Sequence, residues 1–290
     1  MINGAVTVGM NINGKELEFR LATHPTYRMV HGVVIELDIV DAMSRFLQPG
    51  DCAIDGGANW GLTSMIMSKF VGPEGHVLAF EPDPDNYEYL IASLELNDAK
   101  NVAAVPGALW KEDSEINFCA VPGYGASSSV VVQYDNSAPP ILVPSYSLDT
   151  FVSLKPKLIK LDCEGSEPDI LNGSRQLLAA QRLECMIVEF NFMLMQHLNI
   201  SEKQIREFMT IFGYDSFILQ PGCPMLVDQG SRLNCNVSRR KPGEQMHINL
   251  MFARREKVSE LWGTVNTVGS GDTLIISPGS FLSPMELQVN

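Results

Sequence analysis

The apolar positions of the chain repeat with two periods, and the period switches repeatedly along it. Residues 1–30 alternate polar and apolar on either side of Asn13-Gly14, which predicts a β-hairpin turning at that pair. From Val33 to Leu47 the spacing becomes helical: Val33, Leu37, Val40, Met43 and Leu47 share one face, and Pro49-Gly50 ends the run. Cys52 to Asp55 reads as a short buried strand. Leu62 to Phe70 is a helix ended by Gly72-Pro73, His76 to Phe80 a strand, Pro84 to Asn97 a helix and Val102 to Val105 a strand. The alternation returns with strand Leu158 to Leu161, helix Ser166 to Ala180, strand Cys185 to Glu189, helix Ser201 to Phe212 and strand Ser216 to Leu219.

Strands alternating with helices predict βαβ units: a mainly parallel sheet with helices on both faces. Ligands of such sheets bind beyond the carboxyl ends of the strands, where the strand order reverses. Residues 113–147 interrupt the pattern. Ile116-Asn117-Phe118, Val130 to Gln133 and Ile141 to Val143 read as short β segments between Gly- and Ser-rich turns, an insertion close to the ligand mouth. From Gly263 onward the periodicity is weak and turn residues are frequent. That stretch reads either as a small β appendage or as a loose tail.

Composition narrows the partners more than the fold. The chain has 290 residues, enough for a sizeable core, with 45% hydrophobic and 19% charged residues. A net charge of −13 disfavours nucleic acid as the main partner, because nucleic-acid binders present a basic face. The six cysteines are scattered without a CxxC pair or a histidine at metal-ligand spacing, so neither a zinc site nor a disulfide framework is expected. Met1 to Gly14 lacks a basic region followed by an apolar run, and no apolar run is long enough to span a bilayer. No signal peptide and no membrane partner are expected, and a cytoplasmic location follows.

The chemistry concentrates after the first core strand. Asp55 ends that strand, Gly56 and Gly57 permit a tight turn with close backbone approach, and Gly61 lies where the next helix packs on the sheet. The backbone N–H groups of Asp55-Gly56-Gly57-Ala58-Asn59-Trp60-Gly61 could cradle a ligand. A dinucleotide fingerprint would place a glycine at Ala58, and a pyrophosphate would be repelled by Asp55. The ammonium and sulfonium charges of S-adenosylmethionine would be attracted. Glu81 ends the second strand, twenty residues beyond Gly61, where a carboxylate can accept both ribose hydroxyls of an adenosine. Alone, Asp55 reads as a turn cap and Glu81 as a helix N-terminal charge; together they favour a nucleoside. Pro82 and Ala108 complete the candidate cofactor set.

Three blocks carry a resemblance to the FkbM family of methyltransferases. They are Pro49-Gly50-Asp51 through Gly61; Ala79-Phe80-Glu81-Pro82 with Asn86; and Ser147-Leu148-Asp149 followed by Leu158-Ile159-Lys160-Leu161-Asp162-Cys163-Glu164-Gly165-Ser166-Glu167, with Leu171 and Gly173. The resemblance spans roughly residues 30–220. It implies a class I, Rossmann-like methyltransferase fold: a three-layer α/β sandwich around a seven-stranded, mainly parallel sheet with one antiparallel strand, for which His247 to Ala253 is the candidate. It implies methyl transfer from S-adenosylmethionine to a hydroxyl of a sugar or small secondary metabolite. Glu36 resembles a family glutamate near the cofactor, and Ser127 and Ser128 a serine pair near the substrate mouth. The expected organisation is a methyltransferase domain over 1–262, with the hairpin and helix in 1–48, the core in 49–255 and an appendage in 263–290.

The block ending at Glu167 closes the fourth core strand, which in this topology faces the methyl group. Asp162 and Glu164 are the catalytic candidates, to position an acceptor hydroxyl or take its proton, and Asp162 is a candidate for the cofactor's amino group as well. Glu167 reads as a substrate contact or as a helix N-terminal cap. His197, after the fifth strand, and His31, before the first helix, are further candidates at the mouth, against a structural role for each. Glu189 is an acid at a strand end whose role stays open. The three carboxylates could hold a divalent ion, but no surrounding ligand pattern accompanies them and no metal is expected. Two rivals remain: a nicotinamide-dependent oxidoreductase, opposed by Ala58 and by the absence of a Tyr/Lys relay, and a non-catalytic binding module on the same fold.

Overall fold

The computed structural model describes residues 5–22, 36–120, 130, 139–220, 222–235, 247–268 and 273–276. The chain opens with the predicted hairpin, β1 (Ala5–Ile12) and β2 (Lys15–Ala22), paired in the register Ile12 opposite Lys15. Its alternating residues Val6, Val8, Met10, Leu17, Phe19 and Leu21 face the core. The hairpin is tied to the domain by polar contacts. Asn13 Nδ2 donates to Asp41 Oδ1 at 2.7 Å, and the backbone N–H of Arg20 donates to Asn97 Oδ1 at 2.8 Å. Helix α1 (Leu37–Phe46) follows. The part of its predicted face at Val33 lies outside the described residues, as do His31, Ser127, Ser128 and 277–290.

The core then alternates as the periods require: β3 (Cys52–Gly56), α2 (Leu62–Val71), β4 (His76–Phe80), α3 (Pro84–Leu96) and β5 (Val102–Val105). Helix α3 starts where the sequence signals it. Asp83 is its N-cap, its Oδ1 accepting from the N–H of Asp85 at 2.9 Å, and Pro84 holds the first helical position. Three short strands come next: β6 (Ala108–Trp110), β7 (Ser114–Phe118) and β8 (Ile141–Ser147). They make a separate three-stranded sheet in the order β6-β8-β7, so the insertion takes in residues upstream of 113.

After β9 (Leu158–Leu161) the predicted helix from Ser166 to Ala180 is two helices, α4 (Glu167–Asn172) and α5 (Arg175–Ala179). The break has a local cause. The Gly173 carbonyl, which an unbroken helix would offer to Leu177, instead accepts Ser147 Oγ at 2.6 Å and the Asp149 N–H at 2.9 Å. The Leu177 N–H donates instead to Asp149 Oδ1 at 2.8 Å. The Ser147-Leu148-Asp149 block thus substitutes for one helical turn bond on each side.

The remaining elements are β10 (Cys185–Asn191), α6 (Phe192–His197), α7 (Glu202–Ile211), β11 (Asp215–Ile218), β12 (Met225–Val227), β13 (Arg232–Cys235), β14 (His247–Ala253), α8 (Arg255–Trp262), β15 (Thr267–Val268) and β16 (Thr273–Ile276). Ser201 and Gln204 form a reciprocal capping box at the start of α7. The main sheet runs β15-β12-β11-β14-β10-β9-β3-β4-β5. From β5 through β10 neighbouring strands are parallel, and β14 inserts antiparallel between β10 and β11, as expected for His247 to Ala253. Two further strands extend the sheet to nine. After Gly263 the described residues form two short strands: β15 joins the main sheet beside β12, and β16 pairs with β13.

The central strands are buried on both faces, so they read as continuous apolar runs. Cys185 and Ile187 of β10 pack into one core layer with α1, α2 and the hairpin. Met186, Val188 and Phe190 pack into the other with α4, α5 and α7. Two core layers with a sheet between them make the predicted three-layer sandwich. Among the described residues no helix is long and apolar enough to cross a membrane. The five cysteines whose side chains are described are free thiols.

Candidate active site

Strand β3 ends against the loop that follows β9, and this contact builds the crevice. The Asp162 N–H donates to the Gly56 carbonyl at 3.0 Å. Gly57, with φ +78°, lies so close to the loop that a Cβ there would stand 1.9 Å from the Asp162 carbonyl oxygen. The two blocks that the sequence singled out separately are thus one structural unit.

The turn does not use its amides as predicted. The N–H groups of Gly57 and Ala58 both donate to the Phe80 carbonyl, at 3.1 and 2.9 Å, and that of Gly61 returns to Ala58. The Asn59 N–H donates to Glu81 Oε2 at 2.7 Å. Three of these amides hold the turn to the next strand and the fourth closes the turn on itself, instead of cradling a ligand. Beside the turn stands the Glu81 carboxyl, whose Oε1 accepts the Asp83 N–H at 2.9 Å and which the Asn86 side chain also hydrogen-bonds. Burial pushes Glu81 up to about 8 despite those two backbone donors. Pro82 is half-buried beside it. Asn86, from the same block, accepts Trp60 Nε1 at 3.2 Å and anchors that indole near the turn.

Asp55 is fully buried, with Oδ2 accepting Ser64 Oγ at 2.5 Å. Burial raises its pKa against the opposing pull of Lys160. Lys160, itself buried on β9, bonds Asp162 Oδ2 at 2.8 Å. Opposed by burial but outweighed by Asp162, Asp55 and Glu189, its pKa lies above the ordinary lysine range. Lys160 is a central site residue that sequence reasoning quoted only as part of a motif. An Ile-Lys-Leu strand buried on both faces was the signal, because a lysine there needs paired acids.

The acceptor candidates separate. Asp162 keeps 31% of its side chain exposed beside the turn. Glu164 is half-buried with φ +47°, and burial, then Asp162 and Glu167, push it up to about 8. Glu167 is 1% exposed, and its Oε1 accepts the Cys163 N–H at 2.7 Å. Of the two roles the sequence leaves to it, substrate contact and cap, this bond makes it a strut of its own loop. Ala108 begins β6 and packs with Phe118 and Val143 in the small sheet's own apolar cluster. Its neighbour Leu109 is the residue seated against Gly56. His197 is exposed at the end of α6.

The histidine that does meet acids is His247. Because β14 runs antiparallel, its first residue lies at the carboxyl end of the parallel strands, opposite Asn191. His247 Nε2 is 3.4 Å from Glu36 Oε1, and Nδ1 is 3.8 Å from Glu189 Oε1. Burial would lower its pKa, but the two carboxylates outweigh it and raise it to about 9. Burial pushes Glu189 well up, and Asp162 adds to the rise; for Glu36 the contact with His247 outweighs burial and holds it below the usual range. Glu36, assigned to the cofactor by resemblance, accepts Asn249 Nδ2 at 2.9 Å.

Several buried polar atoms at this rim find no hydrogen-bond partner among the described residues: Asp55 Oδ1, Asn59 Oδ1, Ser166 Oγ, Glu167 Oε2 and Asn249 Oδ1. Such atoms are costly unless a polar ligand or water meets them. Four of these atoms belong to the Asp55–Gly61 turn and the Asp162–Glu167 loop, which fits a polar, partly cationic group in the crevice between them.

A parallel sheet with one inserted antiparallel strand, a glycine turn and an acid closing the next strand define a class I, Rossmann-like methyltransferase fold. The chain belongs to the methyltransferase FkbM domain family, whose model matches residues 51–216. It is similar to "Methyltransferase 1" of Beauveria bassiana (strain ARSEF 2860), with 25% identity over 142 residues covering 41% of this chain and 57% of that protein. It is also similar to "Methyltransferase sdnD" of Sordaria araneosa, 34% identical over 84 residues, 29% of this chain and 32% of that one. The chain thus matches less than two thirds of either relative. A solved structure, methyltransferase FkbM from Methylobacillus flagellatus KT, aligns with a TM-score of 0.45 and 16% identity over 70% of this chain and 43% of that chain.

Proposed function

We propose that the chain transfers a methyl group from S-adenosylmethionine to a hydroxyl oxygen of a sugar or small secondary metabolite. The observation that carries the reading is the direct packing of the Asp55–Gly61 turn on the Asp162 loop, which brings a nucleoside-binding acid and an acceptor-side acid to one crevice. Bound S-adenosylmethionine supplies an electrophilic methyl group. Glu81 accepts the ribose hydroxyls, and Asp162 holds the acceptor hydroxyl in line, where orientation supplies much of the rate. The acidic chain, at −13, supports a small neutral or cationic acceptor rather than nucleic acid or a membrane surface.

Glu81→Ala should weaken S-adenosylmethionine binding roughly 5- to 150-fold, the equivalent of about 1–3 kcal/mol for two hydrogen bonds of about 0.5–1.5 kcal/mol each. Calorimetric titration beside Glu81→Gln, which keeps one acceptor, reads it. Unchanged affinity in both variants would remove the ribose assignment.

Methyl transfer assayed over a panel of hydroxylated acceptors tests the function itself. Asp162→Asn keeps an oxygen for Lys160 and should lower kcat about 10²- to 10⁴-fold if the carboxylate takes the proton. If Glu164 is the base instead, it must be ionised first, so kcat should climb with pH to a plateau above about 8 and the climb should vanish in Glu164→Gln. Binding of S-adenosylmethionine without turnover on any acceptor would support the non-catalytic rival, and binding of NADH in its place the oxidoreductase.

A further inference from the structure

Three polar residues from distant parts of the chain meet at the sheet rim, and the mechanism above uses none of them. Glu36 precedes α1, Glu189 lies near the end of β10, and His247 begins β14. One ligand atom from each lies within 4.8 Å of the other two, and among the described residues no other such trio of His, Cys, Asp or Glu occurs. Their side chains are 21%, 14% and 10% exposed, respectively, so the group faces a crevice rather than open water.

A second observation points to a ligand. Asn249 stands on the same face of β14 as His247, two residues on, and directly opposite Glu189. It is 5% exposed, and its amide is aimed into the trio, with Nδ2 2.9 Å from Glu36 Oε1. The carbonyl oxygen of that same amide is buried without a hydrogen-bond partner among the described residues. No protein donor in the cluster satisfies it. Two carboxylates, an imidazole and a buried carbonyl oxygen form a donor set that a cation satisfies.

We propose that Glu36, Glu189 and His247 bind a divalent first-row cation, with the Asn249 carbonyl oxygen as the fourth protein ligand. Oxygen donors with one imidazole suit the Mn²⁺, Fe²⁺ and Zn²⁺ class and disfavour thiophilic ions. Such ions bind nitrogen and oxygen at about 2.0–2.2 Å, so their ligand atoms stand roughly 3–4 Å apart. The trio, within 4.8 Å, is slightly wider than that, and β10 and β14 hold two of the ligands and Asn249 in fixed register. The inference does not depend on the methyl-transfer reading, because it concerns binding only.

The test uses the full chain, stripped with chelator and titrated with Mn²⁺, with free Mn²⁺ counted by electron paramagnetic resonance. Saturable binding of one ion per chain is expected, weakened at least about tenfold in Glu189→Gln and in His247→Gln. Glu260→Gln, exposed on α8, should leave it unchanged. Nitrogen modulation of the bound Mn²⁺ signal in the wild-type protein should report the imidazole, a readout that needs no variant to fold. Absence of saturable binding, absence of the nitrogen signal, or equal loss of binding in Glu260→Gln would each overturn the proposal.

Discussion

Lys160→Met should cost the fold about 3–5 kcal/mol at pH 8, the range for removing one partner of a buried ion pair. Methionine keeps the apolar stem, so the loss is electrostatic. The ammonium bonds Asp162 and lies in the field of the fully buried Asp55 carboxyl. Without it Asp55 loses the charge that opposes its burial. The pH dependence has a definite sign. The pKa of Lys160 is raised in the folded chain, so its contribution is fully present below the ordinary lysine value of about 10.4 and is constant from pH 5 to 8. In the variant Asp55, already raised, rises further. The native state then holds a proton that the unfolded chain releases near pH 4, and stability falls as pH rises. The gap between wild type and variant should therefore be small at pH 5 and widen toward pH 8. Urea melts in chelator-containing buffer measure it through the midpoint at constant slope. A gap under about 1 kcal/mol, or one that does not change with pH, would show that Lys160 is not the counter-ion of this site.

Local signals were enough for the core. Each parallel strand of the main sheet from Cys52 to Ile218 announced itself because a buried parallel strand is a short apolar run and the turn residues around it are unambiguous, whereas β6 of the insertion carried no such signal. The Asp162–Glu167 block and the glycine turn were legible for the same reason: both sit at strand ends, where βα topology places ligands. Features made by long-range pairing were not legible. The helix after Ser166 has an unbroken helical pattern, and its break depends on Ser147 and Asp149 arriving from another element. β12 and β15 are three and two residues long, too short for a period to show. The cluster at His247 links Glu36 to Asn249 across 213 positions, and no local pattern encodes that distance. His197 drew attention because it follows a parallel strand. His247 does not follow one; an antiparallel strand turns its first residue, not its last, toward the crevice. Once His247 to Ala253 was assigned as that strand, the position of His247 at the mouth was already implied.

The close contact of the two blocks gives the other large effect. Gly57→Ala should destabilise the chain by about 2–5 kcal/mol and abolish S-adenosylmethionine binding. The first contribution is backbone strain at φ +78°, about 1–2 kcal/mol for a residue with a Cβ. The second is collision. The added carbon would lie 1.9 Å from the Asp162 carbonyl oxygen, which belongs to backbone and cannot rotate aside, so the loop after β9 must move as a unit, at about 1–3 kcal/mol. Gly14 separates the two contributions. It has φ +80° in the hairpin turn, and a Cβ there meets nothing within 4 Å. Gly14→Ala should therefore show the strain alone and leave binding intact. Thermal melts of both variants, with calorimetric titration of S-adenosylmethionine, make the comparison. Equal stability losses in the two, or undiminished binding by Gly57→Ala, would mean that the glycine turn and the Asp162 loop do not form one rigid unit. The movement expected in Gly57→Ala also carries Asp162, so any turnover that survives should show the acceptor side disturbed along with the donor side, which no independent pair of half-sites would do.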